Sequence, residues 1–231
     1  MTKRRAGGNP FDNDAVASVY DNWYDTPVGR EVDRLEKALI FRLAQPRSGE
    51  SALDVGTGTG NFACDLANRG LRLTGYDSSG AMLQIARGKD ANVTWQQGQA
   101  EALPFGEGSF DLVLSVTTVE FVQEPDLALA EMFRVVAPGG RMIVAVLNAR
   151  SLWGRARIRQ ASQQDTPFRH AHFYTPAEFV AALRRYGRPK WSGSVFFAHS
   201  GRGMRVADLL ERLGQRLCPG RGALLVGRVD K

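Results

Sequence analysis

From about residue 50 onward, short and nearly continuous apolar runs alternate with longer segments whose apolar positions recur every three or four residues, a pattern that predicts strands interleaved with helices. Residues 51–55 (SALDV) read as a strand running into a glycine-rich turn, and 61–69 follow as a helix with Phe62, Cys64, Leu66 and Ala67 available to the interior. Residues 71–77 (LRLTGYD) form a second strand ending in an acid. Ser78 and Ser79 are candidate caps for a helix over 80–89, where Met82, Ile85 and Ala86 fall at helical spacing. A weaker strand covers 92–96, and 110–116 (FDLVLSV) has the unbroken apolar character of a strand buried on both faces. A helix over 126–136, with Leu127, Leu129, Ala130, Phe133 and Val136 inward, is expected to stop at Pro138-Gly139-Gly140, with the next buried strand at 141–147. Helices at 176–186 and 205–217 and strands at 191–198 and 223–229 complete the series, and two helices, 14–24 and 29–43, precede it. Strand and helix in steady alternation predict an α/β fold with a doubly wound parallel sheet.

Composition narrows the class. A chain of 231 residues, 43% apolar, is expected to be one globular domain, and two cysteines, Cys64 and Cys218, give neither a disulfide framework nor a metal-ligand spacing. Cys64 reads as a small buried hydrophobe rather than a nucleophile. The amino terminus MTKRRAGGNPFDND has positive charge but no apolar stretch behind it, and the longest aliphatic run is 142–147, so a soluble, cytoplasmic protein without a membrane span is expected. The net charge of +6 is divided unevenly. Residues 1–133 hold 12 Lys/Arg against 19 Asp/Glu (−7), and 134–231 hold 18 against 5 (+13), which invites a nucleic-acid reading of the second half.

The chemistry gathers at Gly56, Gly58 and Gly60, between a strand and a helix, where the backbone turns tightly and lets a ligand approach closely. A dinucleotide fingerprint starting at Gly56 needs glycine where Asn61 stands, and a phosphate P-loop needs Gly-Lys-Ser/Thr, which is absent. What remains is D-x-G-x-G-x-G, with Asp54 inside the strand and a second acid, Asp77, ending the next strand.

On these residues the chain resembles the class I S-adenosylmethionine-dependent methyltransferases, in the small-molecule branch grouped with quinone-biosynthesis C-methyltransferases. LDVGTGTGNF, YDSSGAML, GQAEALPFGEGSFDLVLSV and RVVAPGGRMIVAV are similar to the family's successive motifs, and YDNWYDTPVGREVDRLEKALI and FYTPAEFVAALRRYG to its flanks. The resemblance implies a Rossmann-like, doubly wound, mostly parallel seven-stranded sheet with an antiparallel last strand and N-terminal helices capping the ligand edge. It implies one methyltransferase domain over 1–231: a helical cap at 12–44, a cofactor-binding core at 50–147, an acceptor-pocket insertion at 148–175 and the C-terminal part of the sheet at 176–231. It further implies that Asp77 takes the ribose hydroxyls, that Gly56, Thr57, Gly58 and Gly60 lie against the methionine part, and that Asp54 orients their loop. Ser78 and Met82 then neighbour the adenine, and Gln99, Ala100 and Glu101 stand where the family has Asp-Ala-Glu, Gln99 being a departure that accepts without charge. Thr117 and Thr118 line the methyl end, while Tyr20 and Tyr24 cover the cofactor.

Methyl transfer to an acceptor is in-line displacement at an activated sulfonium, so alignment and water exclusion carry most of it. Three residues are candidate catalytic groups: His170 and His172, each either a general base or a surface histidine, and Glu120, either a pocket acid or a helix-starting charge. No Asn/Asp-Pro-Pro-Tyr/Phe and no Pro-Cys is present, against nucleobase or glutamine amino methylation and cytosine C5 chemistry. The expected partner is a small-molecule acceptor, anionic or aromatic, in a monomer or homodimer. Trp23, Tyr24, Trp153, Phe168, Phe173 and Tyr174 are expected to line its pocket, with Arg150, Arg155, Arg157, Arg159 and Arg169 at the entrance. Two other readings stand: an RNA, DNA or ribonucleoprotein methyltransferase using the basic half, and a non-catalytic S-adenosylmethionine-binding regulator.

Overall fold

Seven strands, β1 (Ser51–Val55), β2 (Arg72–Asp77), β3 (Thr94–Gln97), β4 (Phe110–Val116), β5 (Val136–Leu147), β6 (Lys190–Ser194) and β7 (Leu224–Asp230), join edge to edge in the order β3-β2-β1-β4-β5-β7-β6. The first five pair in parallel, and β7 runs antiparallel between β5 and β6. This computed structural model describes residues 11–90 and 92–231, so the basic stretch at 1–10 lies outside the described residues. Among the described residues no helix is long and apolar enough to cross a membrane.

Period-two alternation divides the core between the two faces of the sheet. Leu112, Leu114, Ile143 and Ala145 point to the side where α2 (Pro27–Ala44) and α3 (Asn61–Ala67) bury Leu39, Ile40, Phe62 and Leu66. Val113, Met142, Val144 and Val146 point to the other, against Leu129 and Met132 of α5 (Pro125–Arg134) and Phe179 and Leu183 of α7 (Pro176–Arg184). Local signals set the helix starts. Thr26 caps α2 ahead of Pro27, Ser79 caps α4 (Gly80–Lys89), and Thr175 with Glu178 forms a capping box on α7. The leading helix α1 (Asp14–Tyr20) lies against α4 at the ligand edge, whereas α2 packs on the sheet face.

Several expectations need correction. The helix before β5 ends at Arg134, and Val136 already pairs with Phe110, so Pro138-Gly139-Gly140 forms a bulge inside β5 rather than a helix stop. On α5 the buried residues are Ala128, Leu129 and Met132, while Leu127 is 50% exposed. Its neighbour Asp126 is exposed as well and ion-paired to Arg185 at 2.8 Å. Strand β6 ends at Ser194 because Val195 adopts a left-handed conformation (φ 63°) and turns the chain away. The segment after β5 contains an unforeseen helix, α6 (Leu152–Gln163), capped by Ser151 and anchored by the buried Trp153. That whole excursion leaves and returns at one place: Asn148 bridges to Tyr174, and the Tyr174 N–H donates to the Leu147 carbonyl at 3.0 Å. The last helix, α8 (Ala207–Leu217), packs beside β6.

Candidate functional site

Strand order reverses between β1 and β4, since β1 is followed outward by β2 and β3 while β4 is followed by β5. In open α/β sheets the crevice at the carboxyl ends of such strands is where ligands bind. Here the two loops that leave this point touch. Thr118 Oγ1 donates to the Gly56 carbonyl at 3.3 Å, and a Cβ built on Gly56 would lie 2.1 Å from Thr118. Thr117, which directly follows β4, is left-handed at φ 49°, an uncommon state for a β-branched residue, and this turn aims Thr118 back at the glycine loop. A cleft of about 1750 Å³ opens here.

Each glycine of the loop has a separate reason to be glycine. Gly56, Gly58 and Gly60 all have positive φ. A Cβ on Gly60 would meet the Trp95 ring at 2.5 Å, so its reason is packing, and Gly60 is not part of the cleft lining. At Gly58 a Cβ would meet nothing within 4 Å, and the residue lines the open cleft. The loop is held from below by two acids. Asp77 Oδ2 accepts the Gly58 N–H and Oδ1 the Ser79 N–H, both at 2.8 Å. Asp54 Oδ2 accepts the Thr57 hydroxyl at 2.8 Å, and neither Asp54 nor Thr57 reaches the cleft surface. Burial pushes both carboxyls up, against the hydrogen bonds that favour their charge, and Asp54 reaches about 7 with Asp77 as a like-charged neighbour.

The Asp54 shift fixes a pH dependence. Below about pH 4 the carboxyl is protonated in both folded and unfolded chains; as pH rises through about 7 the folded protein must ionise it where charge is disfavoured, and stability falls. Asp54→Asn keeps an acceptor for Thr57 and removes that ionisation. Between pH 5 and pH 8 the variant is expected to gain stability over the parent, by up to about 3 kcal/mol. Urea melts at the two pH values measure this difference, and parallel curves for both proteins would refute it.

Beyond Asp77 the cleft is lined by Ser78, Met82, Gln99, Ala100 and Glu101. Gln99 is exposed, whereas Glu101 Oε1 accepts the Gln123 and Glu124 N–H groups and thereby fixes the approach to α5. Tyr20 lines the cleft; Tyr24 does not, standing beside it with ring centres 6.2 Å apart. Burial raises both phenols. Sequence reasoning missed the cover opposite them. Phe11 packs edge-on against Phe121 at 4.9 Å and Tyr20 at 6.1 Å, its carbonyl accepting the Ser79 hydroxyl, and both phenylalanines line the cleft. The signal was present in Phe11 just ahead of Asn13, the cap of α1.

Beyond Thr117 and Thr118 the cleft continues between α5, α7 and the one-turn segment Pro167–His170. His170 and His172 both line it and are exposed. Glu120 does not line it; it is fully enclosed, and its Oε1 accepts the Leu147 N–H while its carbonyl accepts the His172 N–H at 2.9 Å. Of the aromatics expected around an acceptor, only Tyr174 lines this cleft. Trp153 is 2% exposed and borders a separate groove of about 380 Å³ beside α8, with Trp23 packed on it at 6.3 Å, and Phe168 pairs with Phe173 at 6.3 Å. The arginines also divide: Arg169 lines the cleft and Arg150 and Arg155 line the groove. Of these three Arg155 alone lies on α6, where the buried Trp153 sets which face turns to the groove, and an arginine-rich sequence does not reveal that register.

Residues 53–144 match the family described as a methyltransferase domain. An uncharacterized protein of Mycobacterium tuberculosis is 37% identical over 175 residues, which are 74% of this chain and 58% of that one. The malonyl-[acyl-carrier protein] O-methyltransferase of Serratia marcescens is 32% identical over 174 residues, 74% of this chain and 66% of its own. The chain thus spans less than two thirds of the length of these relatives. Among solved structures, a Thermotoga maritima methyltransferase described as S-adenosylmethionine-dependent, possibly acting on histamine, superposes with a TM-score of 0.71 at 26% identity, covering 94% of this chain and 97% of that one.

Proposed function

Since the chain belongs to the class I S-adenosylmethionine-dependent methyltransferases, we propose that it transfers a methyl group from S-adenosylmethionine to a small-molecule acceptor in the cleft at the β1/β4 switch point. The observation that carries this reading is the pairing of an open glycine cradle with Asp77. A carboxylate has about four acceptor positions. Asp77 engages the Gly58 and Ser79 N–H groups, one on each oxygen, with the Ser78 N–H also near, and its remaining acceptor capacity is available to a ribose hydroxyl. The open space over Gly58 fits a methionine chain laid against the backbone, and nothing in the loop demands a phosphate. The cleft also exceeds the 300–1,000 Å³ usual for one ligand, as a site for a cofactor and an acceptor together should.

When bound, S-adenosylmethionine supplies a methyl group already activated on a sulfonium. The protein then has to hold donor and acceptor in line and exclude water. Thr117 and Thr118 border the methyl end, and Phe11, Tyr20 and Phe121 cover the cofactor side. His170 or His172 removes an acceptor proton where the acceptor carries one. Glu120, closed off from the cleft, serves by fixing the end of β5 and the strand-like approach to His172.

A thermal-shift comparison tests the reading. S-adenosylhomocysteine at a hundred times its Kd adds about 2.7 kcal/mol, and for a chain of this size raises Tm by roughly 5–11 °C, while NAD leaves it unchanged. Stabilisation by NAD alone would reverse the assignment. Labelled-methyl transfer into a metabolite extract then identifies the acceptor.

A further inference from the structure

α6 carries a cation whose hydrogen-bonding capacity the protein leaves unused. Arg157 is half-buried, its guanidinium carbon 4.8 Å from the centre of the Phe168 ring and 5.4 Å from that of Trp153. Both rings are fixed from outside: the Trp153 indole N–H donates to the Phe197 carbonyl at 2.8 Å, and Phe168 rests on Phe173. A guanidinium brings five N–H donors in a rigid plane. Among the described residues Arg157 makes no ion pair and no hydrogen bond with any of them. By contrast Arg141, on β5, spends its donors on Glu50 and the carbonyls of Ala44, Gln45 and Asp111.

The groups that face Arg157 come from several elements. Glu36 of α2, the phenols of Tyr20 and Tyr24, Glu120 and His199 are its electrostatic neighbours, and His199 packs edge-on against the Trp153 ring at 4.7 Å. Among the described residues Glu36 likewise makes no hydrogen bond or ion pair, and burial lifts its carboxyl to about 8, so it is mostly protonated at neutral pH and able to donate. Burial likewise lowers the guanidinium from its usual value. Arg157 and Glu36 do not line the cleft themselves; they stand behind Tyr20, which lines it and is the electrostatic neighbour of both.

We propose that Arg157 binds a carboxylate carried by the methyl acceptor, the two N–H groups of its fork bonding the two oxygens, with the Tyr20 and Tyr24 hydroxyls beside them. The proposal rests on the methyltransferase reading and adds the substrate class. A planar carboxylate matches the fork geometry and brings one charge to one cation. A phosphate would bring nearly two negative charges to that one cation, and a cationic acceptor would meet Arg157 itself. A neutral acceptor leaves a desolvated cation without an anion, the costly case.

The test uses the full chain saturated with S-adenosylhomocysteine. A panel of aryl and aliphatic carboxylic acids, with their primary amides and the matching monophosphates, is screened by ligand-detected NMR and the hits titrated by calorimetry. Carboxylates are expected to bind at least ten-fold more tightly than their amides and phosphates. Arg157→Gln is expected to remove at least ten-fold of that affinity and Arg157→Lys part of it, while S-adenosylhomocysteine binds within two-fold of the parent in every variant. Carboxylates no better than amides, a preference for phosphates, or unchanged carboxylate affinity in Arg157→Gln would each overturn the proposal. Should Arg157→Gln not fold, the comparison within the parent and Arg157→Lys decides. Failure of the parent to bind S-adenosylhomocysteine would instead overturn the methyltransferase reading, and the acceptor class with it.

Discussion

Gly56→Ala is expected to abolish cofactor binding and to cost the fold roughly 2–5 kcal/mol. Two independent penalties combine. A side chain at φ 74° pays about 1–2 kcal/mol for the left-handed backbone, and a Cβ 2.1 Å from Thr118 Oγ1 and Cγ2 adds the roughly 1–3 kcal/mol typical of overpacking. Relief requires Thr118 to move, yet Thr118 is tied to the Gly56 and Val116 carbonyls, so the two sides of the switch point would be forced apart. Gly58→Ala separates ligand from scaffold. It pays only the backbone term, because no atom lies within 4 Å of its Cβ, and its methyl enters the space assigned to the cofactor. Urea melts should show Gly56→Ala severely destabilised and Gly58→Ala mildly so, with both failing to bind S-adenosylhomocysteine in calorimetry. Undiminished binding by Gly58→Ala would show that the loop does not cradle the cofactor.

Asp77→Ala is the second large effect. The carboxylate is at once the anchor of the Gly58 and Ser79 N–H groups and the acceptor assigned to the ribose. Losing hydrogen bonds to a charged group costs about 1.5–3 kcal/mol, which is roughly 10- to 150-fold in S-adenosylhomocysteine affinity, before the loosening of the loop is counted. Asp77→Asn retains one carbonyl oxygen and should fall between parent and alanine. Calorimetry giving the alanine variant the parent's affinity would remove Asp77 from the site.

What the sequence disclosed and what it hid follow a physical division. β1, β4 and α4 have the expected boundaries because their causes are local: apolar runs covered on both faces, and a serine cap at Ser79. The glycine loop was legible for the same reason, positive φ being a property of single residues. Side-chain direction in the second half was not. Whether an arginine or aromatic of 150–174 faces the cleft, the groove or the interior depends on how α6 rotates about Trp153, and its sequence offers one large buried side chain to fix that rotation. The same holds for α5, where packing on the sheet buries Ala128, Leu129 and Met132 against the simplest apolar count. Phe11 and Phe121 lie 110 positions apart in the chain, and only their common closeness to the cleft gives them a role.

The ends of the closed excursion between Asn148 and Tyr174 are stitched together by main-chain hydrogen bonds at the tip of β5, and Asn148 Nδ2 ties that point to the Gly220 and Gly222 carbonyls. Lengthening such a loop costs little, since closure entropy grows only slowly with length. The outer part of the segment can therefore change length without pulling on the sheet, and the glycine cradle and Asp77 stay as they are.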